Sequence, residues 1–155
     1  MTMRLEDEIK TKGFRSEYHK LNINLIYTYH WMTNSSAALF QEFGVTAQQY
    51  NILRILRGQH PNPCTIQLLK SRMLDRQSDA SRLVDRLTSK GLVERHVCPV
   101  DRRKMDVKIN DEGLELLRRM DPVVEAGDNL FDQISEEEAK MMNDLLDRIR
   151  LHKLD

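Results

Sequence analysis

The stretch that decides the fold of this chain runs from Thr65 to Ile109 and reads TIQLLKSRMLDRQSDASRLVDRLTSKGLVERHVCPVDRRKMDVKI. It predicts two short helices followed by a two-stranded β-hairpin with a basic tip. The second helix has apolar residues at the spacing of one helical face, namely at Ala80, Leu83, Val84 and Leu87. With that face on a core, a polar face points outward: Ser78, Ser81, Arg82 and Asp85, with Gln77 in the exposed first turn. Short polar groups and an arginine at a helix start suit the base edges of the DNA major groove.

The hairpin follows the second helix directly. Gly91 is expected to end that helix, because glycine readily adopts the left-handed cap conformation. Residues Val93 to Cys98 predict one strand, and the alternation from Met105 to Ile109 predicts its partner. The intervening PVDRRK contains three consecutive cations, which would be attracted to a narrow, electronegative minor groove. A helix-turn-helix followed by a basic β-tip predicts a winged helix that binds DNA.

The distribution of charge supports this interpretation. The 155 residues carry no net charge and are expected to form one domain with a real core. Residues 70–108 nevertheless have a net charge of +5, residues 109–155 of −7 and residues 1–69 of +2. The positive excess therefore coincides with the predicted winged helix, and the acidic C-terminal third is expected to lie away from DNA.

Helices are expected before and after the predicted winged helix in the sequence. Residues 14–43 predict one long helix, uncharged from Asn22 to Gln41. Its polar residues exclude a membrane span, and its apolar residues surround the helix, so we expect burial on more than one side. A further helix is expected from Asn110, kinked or divided at Pro122. A last helix opens at a Ser135 capping box, with an apolar face at Met141, Met142, Leu145, Leu146 and Ile149.

Several residues are predicted to cap helices. Thr46 and Gln49 have capping-box spacing, and Thr65 is expected to cap a helix from Ile66 to Met73. Asp75 is expected to cap the second of the two short helices. Capping of that helix is also the main expectation for Asp79.

The sequence offers no chemistry for an enzyme. The five histidines are scattered, and no nucleophile triad, glycine-rich phosphate loop or metal-ligand cluster is present, so neither cofactor nor metal is expected. The first twelve residues lack the apolar core of a secretory signal. We therefore expect a reducing cytoplasm, with Cys64 and Cys98 as reduced, small buried residues. Redox sensing through either cysteine remains open.

The order of these parts resembles the MarR family of bacterial transcription regulators over Leu21 to Ile149. The resemblance rests on VTAQQ at 45–49, SRLVDRL at 81–87, KGLVER at 90–95 and DRR at 101–103. Asn110 stands where the family usually has threonine, and both residues can cap a helix.

The resemblance implies a mainly α fold with a small β-hairpin wing (α+β), that is, a winged helix-turn-helix with terminal dimerisation helices. The implied plan is a single domain, 1–155, with a DNA-binding lobe at 46–109 and dimerisation helices at 14–43 and 110–152. The first and last helices of two subunits would interleave, and two winged helices would bind a pseudo-palindrome as a repressor. Dimer contacts are expected at Leu21, Leu25, Leu145, Leu146 and Ile149. Packing of these faces within one subunit is the alternative.

Specific roles follow for the DNA-binding residues. Gln77, Ser78, Ser81 and Arg82 are expected in the major groove, with Arg82 on guanine or phosphate. Phosphate contacts are expected from Thr65, Lys70, Arg76 and Arg86, although Arg86 is also a candidate ion-pair partner of Asp85 or Asp79. In the tip formed by Asp101, Arg102, Arg103 and Lys104, Asp101 would hold Arg103 as it enters the minor groove, as in the family's wing motif.

Two further alternatives concern ligands and partners. The family's small aromatic or phenolic effectors imply a crevice, for which Tyr27, His30, Trp31 and Tyr50 are candidates; ordinary core packing is the competing explanation. A winged helix could instead be a protein-interaction module. That alternative predicts a tip that is not basic, whereas residues 102–104 are all cationic.

Overall fold

The computed structural model describes residues 4–97 and 105–151. Its elements follow the chain in this order: α1 (Leu5–Glu8), α2 (Glu17–Glu42), α3 (Ala47–Gln59), β1 (Cys64–Thr65), α4 (Ile66–Arg72), α5 (Ala80–Ser89), β2 (Val93–Val97), β3 (Met105–Ile109), α6 (Asp111–Glu125), a 3-10 helix (Ala126–Phe131) and α7 (Glu136–Arg150). The chain divides into two compact units, Met1–Leu114 and Glu115–Asp155. The predicted class, mainly α with a small sheet, is confirmed.

The core of the first unit lies where α3, α5 and the sheet pack together. Helix α3 contacts both α5 and β3, and α5 contacts β2. The side chains of this core, together with Leu69 of the adjoining α4, are almost completely buried: Ile52, Leu53, Leu56, Val84, Leu87, Val93, Val107 and Ile109. Burial of this branched apolar layer supplies most of the stabilisation of the lobe.

The sheet has three strands rather than the two that the sequence predicts. Its order is β1-β3-β2, and both pairings are antiparallel. The central strand, β3, has a neighbour on each side, with Thr65 and His96 opposite Asp106. Asp106 is therefore buried, whereas Met105 is exposed. The sequence predicts the β2–β3 hairpin but not the pairing of β1 with β3.

Local sequence signals fix the ends of several elements as predicted. Thr46 and Gln49 form a reciprocal capping box at α3, and the Thr65 hydroxyl accepts from the Leu68 N–H at α4. Gly91 follows α5 at φ +69°, a left-handed conformation that favours glycine. Gly113 has a different role. A Cβ there would lie 2.3 Å from the Leu92 carbonyl oxygen, so only glycine lets the start of α6 approach the sheet.

Helix α2 differs most from expectation. It begins at Glu17, three residues later than predicted, and the Ser16 side chain caps it. At about 1.5 Å per residue, its 26 residues span about 39 Å. None of them is buried in the single chain, so the predicted burial on more than one side would require a second surface. The N-terminal α1 lies along it, with the Glu6 carboxylate 2.5 Å from Lys20 Nζ.

The second unit is helical. Helix α6 continues through Pro122 to Glu125 and is followed by the 3-10 helix. Of the two alternatives predicted at Pro122, a kink or a division, the division does not occur there, because the α-helix ends at Glu125. Helix α7 begins at the predicted capping box of Ser135 and Glu138, and it has no buried residue. Within the described ranges, no helix is long and apolar enough to cross a membrane.

Candidate nucleic-acid interface

Helix α5, the recognition helix, is held in one rotation by its apolar stripe. Ala80, Val84 and Leu87 are 3%, 0% and 0% exposed. The opposite face is solvent-exposed and carries Ser81, Arg82, Asp85 and Arg86. Because the stripe fixes the rotation, this polar face is presented in a fixed orientation before any ligand binds.

The recognition helix begins later than predicted. Asp79 is its N-cap, with Oδ1 accepting from the Arg82 N–H at 3.1 Å. Gln77 and Ser78 thus lie in the preceding turn and not in the first helical turn.

Asp75 organises this turn instead of capping the helix. It accepts from the Gln77 N–H at 3.0 Å and from the Ser78 hydroxyl at 2.6 Å. The Ser78 hydroxyl, followed by the Gln77 N–H, lowers the pKa of the Asp75 carboxyl. The Ser78 proton is therefore engaged within the protein, while the exposed Gln77 side chain projects from the turn.

A small basic pocket lies beside the recognition helix. Its volume is about 310 Å³, and its lining comprises Gln67, Lys70, Ser71 and Arg76. The structure thus brings together two of the residues predicted to contact phosphate, Lys70 and Arg76. Sequence reasoning missed Gln67 and Ser71, although Gln67 precedes Lys70 by three residues and Ser71 by four, and both spacings place side chains on one helical face. The Ser71 hydroxyl donates to the Leu68 carbonyl oxygen at 2.8 Å, so the two cations and the Gln67 amide are the groups that suit the oxygens of a phosphate.

A second cleft of about 550 Å³ joins the recognition helix to the root of the wing. Its lining consists of Thr65, Ile66, Gln67, Ser81, Asp85, Arg95 and Met105. Arg95 Nη1 lies 2.7 Å from Asp85 Oδ1, and Arg95 Nη2 lies 3.4 Å from the Ser81 carbonyl oxygen. Arg86 was a candidate for a phosphate contact or for an ion pair with Asp85 or Asp79. The ion pair of Asp85 is made by Arg95, which sequence reasoning did not select.

The basic tip of the wing lies outside the described residues. This applies to Asp101, Arg102, Arg103 and Lys104, as well as to Cys98. Both strands that lead to the tip are described, and they pair from Val93 with Ile109 to Val97 with Met105.

Cys64 is a buried residue of the core. It is 1% exposed, and burial raises the pKa of its thiol. A redox sensor needs an accessible thiolate, so the geometry disfavours that role for Cys64. Among the described residues, no group of His, Cys, Asp and Glu could hold a metal ion.

The four candidate effector residues do not line one crevice. Tyr27 and Trp31 line an open cavity of about 400 Å³ with Glu8, and the Tyr27 hydroxyl donates to Glu8 at 2.7 Å. Tyr50 is buried and stacks against Phe40 at 5.2 Å between ring centroids. His30 is exposed and makes an edge contact with its neighbour Tyr29.

A larger cavity reaches the C-terminal end of the recognition helix. It has a volume of about 850 Å³ and is lined by the last turns of α2, the turn into α3, and Arg86, Ser89 and Lys90 of α5 and its cap. Lys90 Nζ donates to the Gly44 carbonyl oxygen at 2.6 Å. The cavity therefore lies between the C-terminal end of α2 and the C-terminal end of the recognition helix.

The fold and the exposed polar helix define a winged helix-turn-helix protein. A model of the MarR family matches residues 43–104. The HTH-type transcriptional regulator PecS of Dickeya dadantii (strain 3937) is 30% identical over 118 residues, which cover 74% of this chain and 70% of PecS. The chain belongs to the MarR family of transcriptional regulators.

Solved structures agree with this assignment. A MarR transcription factor from Planctomyces limnophilus is 31% identical, with a TM-score of 0.67 over 90% of this chain and 100% of that chain. A MarR family regulator from Streptomyces coelicolor, solved in complex with DNA, is 25% identical, with a TM-score of 0.77 over 89% of each chain. These relatives are transcription regulators.

Proposed function

We propose that this chain is a transcriptional repressor that binds a pseudo-palindromic operator as a homodimer. The recognition helix would enter the major groove, with Arg82, Ser81 and Gln77 at base edges. The observation that carries this proposal is the fixed rotation of α5: Ala80, Val84 and Leu87 are buried on one side, with Leu83 half-buried, and a polar face is exposed on the other. The DNA complex of the Streptomyces coelicolor relative supports it.

Phosphate contacts would come from the neighbouring pocket. Lys70 and Arg76 lie there beside Gln67 and Ser71. The Thr65 hydroxyl oxygen caps α4, which leaves its proton free to reach a phosphate. The cationic tip at 102–104 would occupy the adjacent minor groove.

The homodimer is inferred from apolar faces that the single chain leaves exposed. Leu21 and Leu25 are 45% and 38% exposed on α2, and Leu145 and Ile149 are 46% and 49% exposed on α7. Leu146 beside them is half-buried. Exposed apolar rows of this kind are typical of protein interfaces, and a second copy would give two recognition helices related by a two-fold axis. Repression then requires only that the dimer occupies the operator.

A small-molecule effector is a second element of the proposal. The cavity of about 850 Å³ has the size of ordinary ligand pockets, about 300–1,000 Å³. Arg86 and Lys90 in its lining favour an anionic ligand such as an aromatic acid. A ligand there would press on the C-terminal end of the recognition helix. Benzoate, 4-hydroxybenzoate and phenol should be compared by thermal shift; concentration-dependent stabilisation supports the effector site, and its absence for all three counts against it.

A salt titration on DNA selected from a random pool tests DNA binding itself. If about six phosphates are neutralised, affinity should fall about a thousandfold between 50 and 200 mM salt. A protein-interaction module would select no common sequence and would bind DNA weakly at every salt concentration. That outcome would contradict the proposed function.

A further inference from the structure

The recognition helix presents a carboxylate on the face proposed to meet DNA. Asp85 lies one turn after Ser81 on the exposed side of α5, and its side chain is 59% exposed. Unpaired, this negative charge would repel the phosphates that the neighbouring Arg82, Lys70 and Arg76 are proposed to attract. The molecule must therefore tolerate or neutralise it.

Arg95 is placed to neutralise it. Its side chain, 27% exposed, reaches from β2 to two positions of α5, with Nη1 2.7 Å from Asp85 Oδ1 and Nη2 3.4 Å from the Ser81 carbonyl oxygen. Its Nε is buried and makes no hydrogen bond among the described residues. The guanidinium is thus turned toward the recognition helix and away from open solvent.

We propose that Arg95 is a positioning residue that masks the Asp85 carboxylate and fastens the first wing strand to the recognition helix. It binds no DNA itself. Masking permits an acidic residue on the DNA-facing helix, and the contact to Ser81 fixes the distance between recognition helix and wing root. The inference rests on the proposed function, because the effect of masking is measured as a change in affinity for DNA.

A double-mutant cycle separates masking from direct contact. If Arg95 masks Asp85, Arg95→Ala exposes the carboxylate and lowers operator affinity at least tenfold. Asp85→Ala alone changes affinity less than about threefold, and the double variant returns to the level of Asp85→Ala. If Arg95 instead neutralises a phosphate, the double variant stays as weak as Arg95→Ala, and its salt slope falls by about 0.9. That result would overturn the proposal.

Two further variants serve as controls for the double-mutant cycle. Arg95→Met keeps most of the packed stem and should show the same rescue by Asp85→Ala if Arg95→Ala lowers the Tm. Glu94→Ala removes a carboxylate from the other face of the same strand, where it pairs with His96 at 3.3 Å, and should change affinity less than twofold. A wild-type protein that binds no selected duplex would defeat the proposed function and this inference together. Wild-type binding without the rescue would defeat the inference alone.

Discussion

The recognition helix α5 buries apolar residues in the core of its own chain, whereas helices α2 and α7 bury none of theirs. Helix α5 has ten residues and buries Ala80, Val84 and Leu87 of its apolar stripe. Helix α2 has 26 residues and α7 has 15, and neither has a single buried residue. The DNA-reading lobe is therefore completed by its own chain, whereas α2 and α7 keep apolar faces that another surface would have to cover.

This difference separates two properties that can be changed independently. Substitutions on the apolar faces of α2 or α7 should affect association and leave the lobe folded. Substitutions on the polar face of α5 should affect DNA binding and leave association intact.

The largest effect is expected from a charge in the proposed dimer interface. Leu145→Asp should weaken self-association at least about a hundredfold, equivalent to ~2.7 kcal/mol, because a buried carboxylate without a partner is costly. Sedimentation equilibrium measures this. Asn143→Asp introduces the same charge on another side of α7 and should leave the dimer intact. Equal behaviour of the two variants would contradict the interface.

Removal of the proposed base contact should have the next largest effect. Arg82→Ala is expected to lower operator affinity by about 1–3 kcal/mol, or roughly tenfold to a hundredfold, and to relax preference at one base pair. Competition binding against single-base operator variants measures both. The exposed Arg118, paired with Glu115 on α6, offers a control, since Arg118→Ala should change neither quantity.

The wing tip provides a third test. Arg103→Ala should lower affinity for the selected operator at least about tenfold with the fold intact, through loss of a minor-groove contact. Mobility shift at physiological salt, together with circular dichroism, measures this. Unchanged binding would remove the tip from the mechanism.

A smaller effect concerns the stability of the recognition helix. Asp79→Ala removes the cap on the Arg82 N–H and should cost about 1 kcal/mol, or roughly 2–4 °C in Tm for a chain of this size. Thermal unfolding measures the loss. Asp79→Asn retains a capping oxygen and should recover most of it; equal losses would show that the cap is not the reason.

The smallest effect is expected at Cys64. Since burial raises the pKa of this thiol, little thiolate is present at pH 8, and alkylation should be slow and accelerate as pH rises. Iodoacetamide labelling of a Cys98→Ser variant, native and in denaturant, measures the difference. Rapid labelling of the native protein would restore Cys64 as a candidate sensor.

Local patterns predicted the elements of the lobe well. The stripe of α5 and the capping boxes at Thr46 and Ser135 depend only on residues a turn apart, so sequence spacing suffices to predict them. The predicted cap at Asp75 failed because two candidate caps stood four residues apart, and spacing alone does not decide between them.

Long-range features could not be predicted in the same way. The burial of Asp106 depends on the pairing of β1 with β3 across 41 residues of sequence, from Thr65 to Asp106. The Arg95 ion pair likewise joins a strand to a helix. In α2, apolar composition predicts burial on more than one side, but composition does not specify whether the same chain or a second chain covers those sides.

Hydroxyl-radical footprinting of the wild-type protein on its selected duplex tests the central claim most directly. Two recognition helices related by a two-fold axis predict two protected blocks, with centres about one helical turn (10–10.5 base pairs) apart and related by the symmetry of the site. One protected block, or two blocks in the same orientation, would contradict a symmetric dimer that binds DNA through α5.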